Sequence, residues 1–165
     1  MAFRHNRQSM GETSRMEKPV SIRSELQGFR LIDRISRADR DEIRGSCTLR
    51  GGPVFTLIEA LAQLGALHVR WLTGFSKHAF LLKIGRCTLP EGVPAAGACL
   101  LTGRRIAHSE TTFAYHLKAE RGETVLMEGE FVFTTIDYDE RFAQNTLARH
   151  YRMLFSCLSS DSKTA

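Results

Sequence analysis

One segment constrains this chain more than any other. From Val54 to Leu72 runs a stretch rich in Leu and Ala, broken in polarity only by Thr56, Glu59, Gln63, His68 and Arg70. Leu, Ala, Gln and Glu are strong helix formers, and the run stops just before Gly74. Ahead of it stands Arg50-Gly51-Gly52-Pro53. Two glycines permit unusual backbone angles, and a proline suits the first turn of a helix. Apolar residues fall on nearly every face of the predicted helix, so it must be enclosed and not laid on a surface. Ala60, Ala62, Gly65 and Ala66 let neighbouring backbones approach it closely.

The cover has to come from the rest of a 165-residue chain, enough for one domain with a substantial core. Phe29 to Ile35 and Glu42 to Leu49 read as two strands joined near Arg37 to Asp41. After the helix the apolar period changes to two. Ala79 to Leu89, Ala98 to Ala107, Thr111 to Ala119 and Thr124 to Ile136 read as strands of an antiparallel meander, with Arg121-Gly122-Glu123 as a tight turn. Tyr138 to Leu158 carries Phe142, Leu147, Tyr151, Leu154 and Phe155 at helical spacing. The expected fold class is α+β: an antiparallel sheet wrapped around one long buried helix, the hotdog arrangement, plus a C-terminal helix. The expected division is a tail over 1–25 with a short helical stretch, a hotdog domain over 26–137, and a C-terminal helix and tail over 138–165.

Several classes are disfavoured. No apolar run reaches the roughly 18 to 20 residues a membrane helix needs, and Met1 to Pro19 lacks the apolar centre of a secretory signal. A cytoplasmic location and no membrane partner are expected. Cys47, Cys87, Cys99 and Cys157 show no C-x-x-C spacing, so free thiols are expected and neither a metal site nor a redox motif. The net charge is +5, concentrated in residues 1–50, where eleven Lys and Arg meet seven Asp and Glu. A helix-turn-helix pattern is missing, so nucleic acid is not the expected partner.

Two polar residues of the helix suggest chemistry. Glu59 and Gln63 are four apart and share a face. A carboxylate in an apolar helix must be neutralised, paired with a cation, or open to a pocket, since burying it unpaired costs several kcal/mol. One reading pairs Glu59 with an arginine across the fold. The other makes it a catalytic carboxyl in a substrate tunnel, oriented by Gln63. The first-turn amides of the helix add a second element. Pro53 has no N–H, but Val54 and Phe55 do, and they stand at the positive end of the helix dipole, where an oxyanion is stabilised. Gly51 and Gly52 would let a ligand approach the backbone.

Ile58-Glu59-Ala60-Leu61-Ala62-Gln63 resembles the Glu-Ala-hydrophobic-Ala-Gln signature of the β-hydroxyacyl-carrier-protein dehydratases of type II fatty acid synthesis. Pro53 matches that family's helix-start proline, Phe29 to Ile35 its first strand, and Gly74 to Phe80 its passage from helix to third strand. The resemblance spans roughly Phe29 to Ile136. It implies a homodimer or higher oligomer with acyl chains in a tunnel at the subunit interface. The substrate would arrive on phosphopantetheine, borne by acyl carrier protein or coenzyme A, with no further cofactor. It makes Glu59 the catalytic residue and Gly52, Val54, Phe55, Gln63 and His78 substrate-binding, His78 through the partner's tunnel. The family also carries a histidine in a Gly-His-Phe-Pro-Gly loop before the helix. Here the ungapped match puts Gly45 in that place, and no histidine occurs between His5 and His68.

The expected function is therefore acyl-thioester processing, dehydration of a 3-hydroxyacyl carrier-protein substrate first. The alternatives are thioester hydrolysis, which needs a helix carboxylate and no histidine, and non-catalytic acyl binding. Lys77, Lys83, Arg86, Arg104 and Arg105 flank the later strands and either steer an acidic carrier or solubilise the sheet.

Overall fold

The computed structural model describes residues 30–92, 94–139 and 143–160. The expected N-terminal tail, the short helical stretch in it, Phe29 and Phe142 lie outside the described residues. The long apolar segment forms helix α1 (Phe55–Leu72). Before it come strands β1 (Arg34–Ala38) and β2 (Glu42–Leu49). After it come β3 (Lys77–Thr88), β4 (Gly97–His108), β5 (Thr112–Arg121) and β6 (Thr124–Asp137), then helix α2 (Gln144–Ser160).

The strands make one antiparallel sheet in the order β1-β2-β4-β5-β6-β3. Successive residues of a strand face opposite sides of a sheet. The buried alternate positions Phe113, Tyr115, Leu117 and Ala119 of β5, with Met127, Phe131 and Phe133 of β6, therefore form one inner surface. Leu57, Leu61, Leu64 and Leu67 of α1 pack in the same core as that surface. Each fully buried leucine contributes on the order of 1.5–3 kcal/mol. Contact is close because glycines stand where a side chain would collide. A Cβ on Gly65 would lie 2.4 Å from Cζ of Phe133, and one on Gly103 would lie 2.7 Å from Cδ2 of Leu117.

Helix α1 ends at Thr73, whose hydroxyl donates to the carbonyls of Val69 and Arg70. Gly74 and Phe75 both take positive φ, 60° and 61°, which reverses the chain into β3. Left-handed geometry is costly for a phenylalanine. It is held by the Phe75 amide bond to the Arg70 carbonyl (2.7 Å) and by an edge contact with Phe155 of α2. Helix α2 covers the C-terminal half of α1: Phe155 stacks on Trp71, and Leu158 is buried in the common core.

Four sequence expectations need adjustment. The C-terminal helix begins at Gln144 and not at Tyr138, which follows β6 without helical structure. The first strand begins at Arg34 rather than Phe29, because Leu31 to Asp33 lack regular pairing. The third strand begins two residues early, because Lys77 and His78 pair with Asp137 and Ile136. Helix α1 is not enclosed all round: Phe55 is exposed, and Ile58, Glu59 and Gln63 are half-buried. No helix among the described residues is long and apolar enough to cross a membrane.

Candidate active site

The N-terminal turn of α1 is entered through strained backbone. Gly51 and Gly52 have φ of 77° and 134°, a region that favours glycine. Val54 occupies the N-cap without a side-chain hydrogen bond, and the first turn carries no acidic residue. The amides of Thr56 and Leu57 donate back to the carbonyls of Pro53 and Val54, at 3.0 and 3.1 Å. The amides of Val54 and Phe55 make no such bond among the described residues, as expected of the orphan donors at a helix start.

Phe55, Glu59 and Gln63 follow at intervals of four and form one stripe. Side chains on a helix lean toward its N-terminus, so the Glu59 carboxyl inclines over the turn with the open amides. The amide Nε2 of Gln63 donates to Oε1 of Glu59 at 3.0 Å. The other end of Gln63 is held as well: Oε1 accepts from the Leu31 amide at 3.0 Å. That bond assigns the side-chain amide its orientation and fixes Glu59 from behind. Among the described residues Glu59 makes no ion pair, so no arginine among them pairs with it.

The other site candidates separate. Gly52, Val54, Phe55, Glu59 and Gln63 lie together at one end of α1. His78 lies at the other, with its ring against Phe80, Tyr138 and Tyr151. Burial and the neighbouring Arg70 guanidinium hold His78 below the usual histidine range. Arg70 is eleven residues past Glu59, roughly 16 Å along the axis at 1.5 Å per residue. Within a single chain His78 does not join the Glu59 cluster.

The position matching the dehydratase histidine is closed. Gly45 lies inside β2, where a Cβ would sit 2.6 Å from the Arg34 carbonyl oxygen and 3.1 Å from Cδ1 of Leu64. The histidine nearest to Glu59 along α1, His68, is sealed in the core. Its Nε2 lies 2.6 Å from the Asp39 carbonyl, which can only accept, so Nε2 carries the proton and Nδ1 accepts from the Tyr115 hydroxyl at 2.9 Å. Desolvation lowers the pKa of His68 and raises that of Tyr115.

Comparison with solved structures decides the architecture. A thioesterase from Pseudomonas aeruginosa superposes with a TM-score of 0.55 at 11% identity, over 64% of this chain and 81% of that one. The fold is a hotdog. A dehydratase heterocomplex from Xenorhabdus doucetiae matches with a TM-score of 0.59 at 12% identity, over 70% of this chain and 88% of that one. A hypothetical thioesterase from Streptococcus pneumoniae, solved with coenzyme A, matches with a TM-score of 0.53 at 11% identity, over 62% and 87% of the two chains. No family model and no curated protein matches the sequence. The hotdog sheet and its central helix are legible in the sequence pattern. The Leu31 anchor and the buried cluster around Arg70 are not, since both depend on contacts between distant segments.

Proposed function

We propose that this hotdog protein hydrolyses acyl thioesters carried on the phosphopantetheine of coenzyme A or acyl carrier protein. The observation that carries the reading is a lone carboxylate, Glu59, clamped by Gln63 at a helix start with two open amides, while the position of the dehydratase histidine holds Gly45 with no room for a side chain. Dehydration asks for a base at the α carbon and an acid at the leaving hydroxyl. Hydrolysis asks for one base and an oxyanion site. The prevalence of thioesterases among the matching hotdog structures favours the same choice.

In this reading Glu59 accepts a proton from water as the water oxygen attacks the thioester carbonyl carbon. The carbonyl oxygen becomes an oxyanion facing the Val54 and Phe55 amides. Collapse breaks the C–S bond, and the departing thiolate takes the proton from Glu59. Gly51 and Gly52 keep the approach to the amides clear. The reading includes a homodimer: among the described residues β3 is an edge strand paired only to β6, with Leu81 and Leu82 exposed on it, and a second copy would cover that edge and bring in His78.

The test is incubation with acyl-coenzyme A and with acyl- and 3-hydroxyacyl-pantetheine thioesters, measuring free thiol and enoyl product separately. Thiol release that falls at least ~100-fold in Glu59→Gln is the expected result. Enoyl formation without thiol release would replace hydrolysis by the dehydratase reading. Turnover unchanged in Glu59→Gln would remove the site.

A further inference from the structure

The turn between β1 and β2 and the facing stretch of β4 border a cavity of about 570 Å³. Its lining is wholly ionic, with four arginines and three carboxylates. Each carboxylate is already committed. Asp39 Oδ1 accepts from the amides of Asp41 and Glu42, both at 3.0 Å, and Oδ2 lies 2.7 Å from Nη2 of Arg37. Asp41 pairs with Arg105 at 3.2 Å, and Glu42 with Arg44 at 2.6 Å. Glu42 is the direct cross-strand partner of Arg104, yet its carboxylate turns along its own strand to Arg44. Arg40 and Arg104 are left over. Both line the cavity, both are exposed, and neither makes an ion pair among the described residues.

The wall that carries them is fixed in advance. The Asp39 carbonyl accepts from the buried His68 ring at 2.6 Å, and the Arg105 amide donates to the Asp41 carbonyl at 2.8 Å. These bonds tie the turn to α1 and to β4, so a ligand need not order it. Two guanidinia without counterions on a rigid wall attract an anion, and their planar forks suit a phosphate. The rest of the cavity selects further. At about 570 Å³ it is many times the roughly 30 Å³ of a water molecule, so a lone phosphate leaves most of it unfilled. Among the described residues no aromatic or aliphatic side chain lines it, which disfavours an acyl chain or a nucleobase. Carboxylates with spare lone pairs accept from hydroxyl groups.

We propose that this cavity binds a phosphorylated sugar or polyol, with its phosphate on Arg40 and Arg104 and its hydroxyls on the carboxylates of the turn. The site is separate from the proposed catalytic one. Asp39 is held at His68, nine residues past Glu59, which is roughly 14 Å along the α1 axis and about half a revolution round it.

The experiment is calorimetric titration of the full chain with glucose-6-phosphate at constant ionic strength, with glucose, inorganic phosphate and adenosine diphosphate as comparisons. Saturable binding of glucose-6-phosphate is expected, tighter than that of any comparison and weaker at high salt. Arg40→Gln and Arg104→Gln should each weaken it about tenfold or more. Both side chains are exposed and unpaired, so the melting temperature of the unliganded variants should stay put. Lys83→Gln removes the same charge from β3, at the other edge of the sheet, and should leave the affinity unchanged. Absence of saturable binding would overturn the proposal. So would binding that the two arginine variants leave intact, an equal loss in Lys83→Gln, or tighter binding of adenosine diphosphate or of phosphate alone.

Discussion

The Tyr115 hydroxyl donates to Nδ1 of His68 in the middle of the core, and the opposite ring nitrogen donates to the Asp39 carbonyl; burial holds the ring below its ordinary pKa, against the Asp39 bond, which favours the protonated form. Desolvation is the largest cause of its lowered pKa, and the Arg105 charge adds to it. The unfolded chain takes up a proton here as pH falls through about 6.5, the ordinary histidine value, while the folded chain does not until lower pH. The stabilisation is therefore complete above that value and is lost progressively below it. His78, lowered by burial and by Arg70, acts in the same direction. Urea midpoints measured from pH 7.5 to 5 should decline below pH 6.5, with a slope of up to about 1.4 kcal/mol per pH unit per histidine. His68→Gln should flatten part of that slope; an unchanged slope would assign it to other groups.

Gln63 is expected to position Glu59 and not to touch the reacting atoms. Gln63→Leu removes the bonds to both Glu59 and the Leu31 amide. Thiol release should lose roughly tenfold in kcat with KM nearly unchanged, and stability should fall by about 1–2 kcal/mol. Gln63→Glu keeps the acceptor for Leu31 but places a second carboxyl beside Glu59, and it should shift the acid limb of the pH–rate profile. A purely structural Gln63 would lower stability in both variants and leave that limb in place.

Gly65→Ala should be among the costliest single-methyl additions in the chain. The new Cβ would stand 2.4 and 2.5 Å from two ring atoms of Phe133, which is fully buried and meets Tyr115 edge-on. Better helix propensity returns about 1 kcal/mol, against about 1–3 kcal/mol for overpacking. Denaturant titration should show a net loss; a gain would mean that the Phe133 ring has room to move.

The four thiols should separate by reactivity. Cys157 is exposed on α2, whereas Cys47 and Cys99 are buried partners across β2 and β4. Burial, with Cys99 and Asp33 adding to it, pushes the Cys47 thiol up to about 12. The thiolate is the reactive form. A thiol reagent at pH 7.5 should modify Cys157 within minutes and Cys47 only on unfolding, as read by mass spectrometry of the digested protein. Fast labelling of Cys47 in the native state would contradict its burial.

Much of this was written in local pattern. The composition of Val54 to Leu72 defines α1 almost to the residue, and the period-two runs define β4 to β6, because each element's signal lies within its own segment. Leu31 was harder: its apolar neighbours read as strand, yet its amide is committed to Gln63, thirty-two positions away. That Glu59 and Gln63 share a face is legible from their spacing and their polarity within an apolar helix, and they are hydrogen-bonded to one another. Arg70 was overlooked because a basic residue in the last helical turn ordinarily complements the dipole in solvent. What makes it unusual is Tyr138 and Tyr151, delivered by the β6 end and by α2. The openness along Phe55, Glu59 and Gln63 was equally invisible, since no single-chain pattern distinguishes a stripe awaiting cover from one already covered.

The strand order has a kinetic consequence. Strands β4, β5 and β6 are sequential hairpins, but β3 leaves α1 and crosses to the far edge, where Lys77 meets Asp137. Its ladder can be laid down only after the last strand exists, and distant pairings of that kind are slow to form. On a ribosome the middle of this protein must wait for its end. Pulse-labelled amides should become protected in β5 and β6 before β3, which leaves the exposed leucines of the late strand as the stretch a chaperone would hold longest.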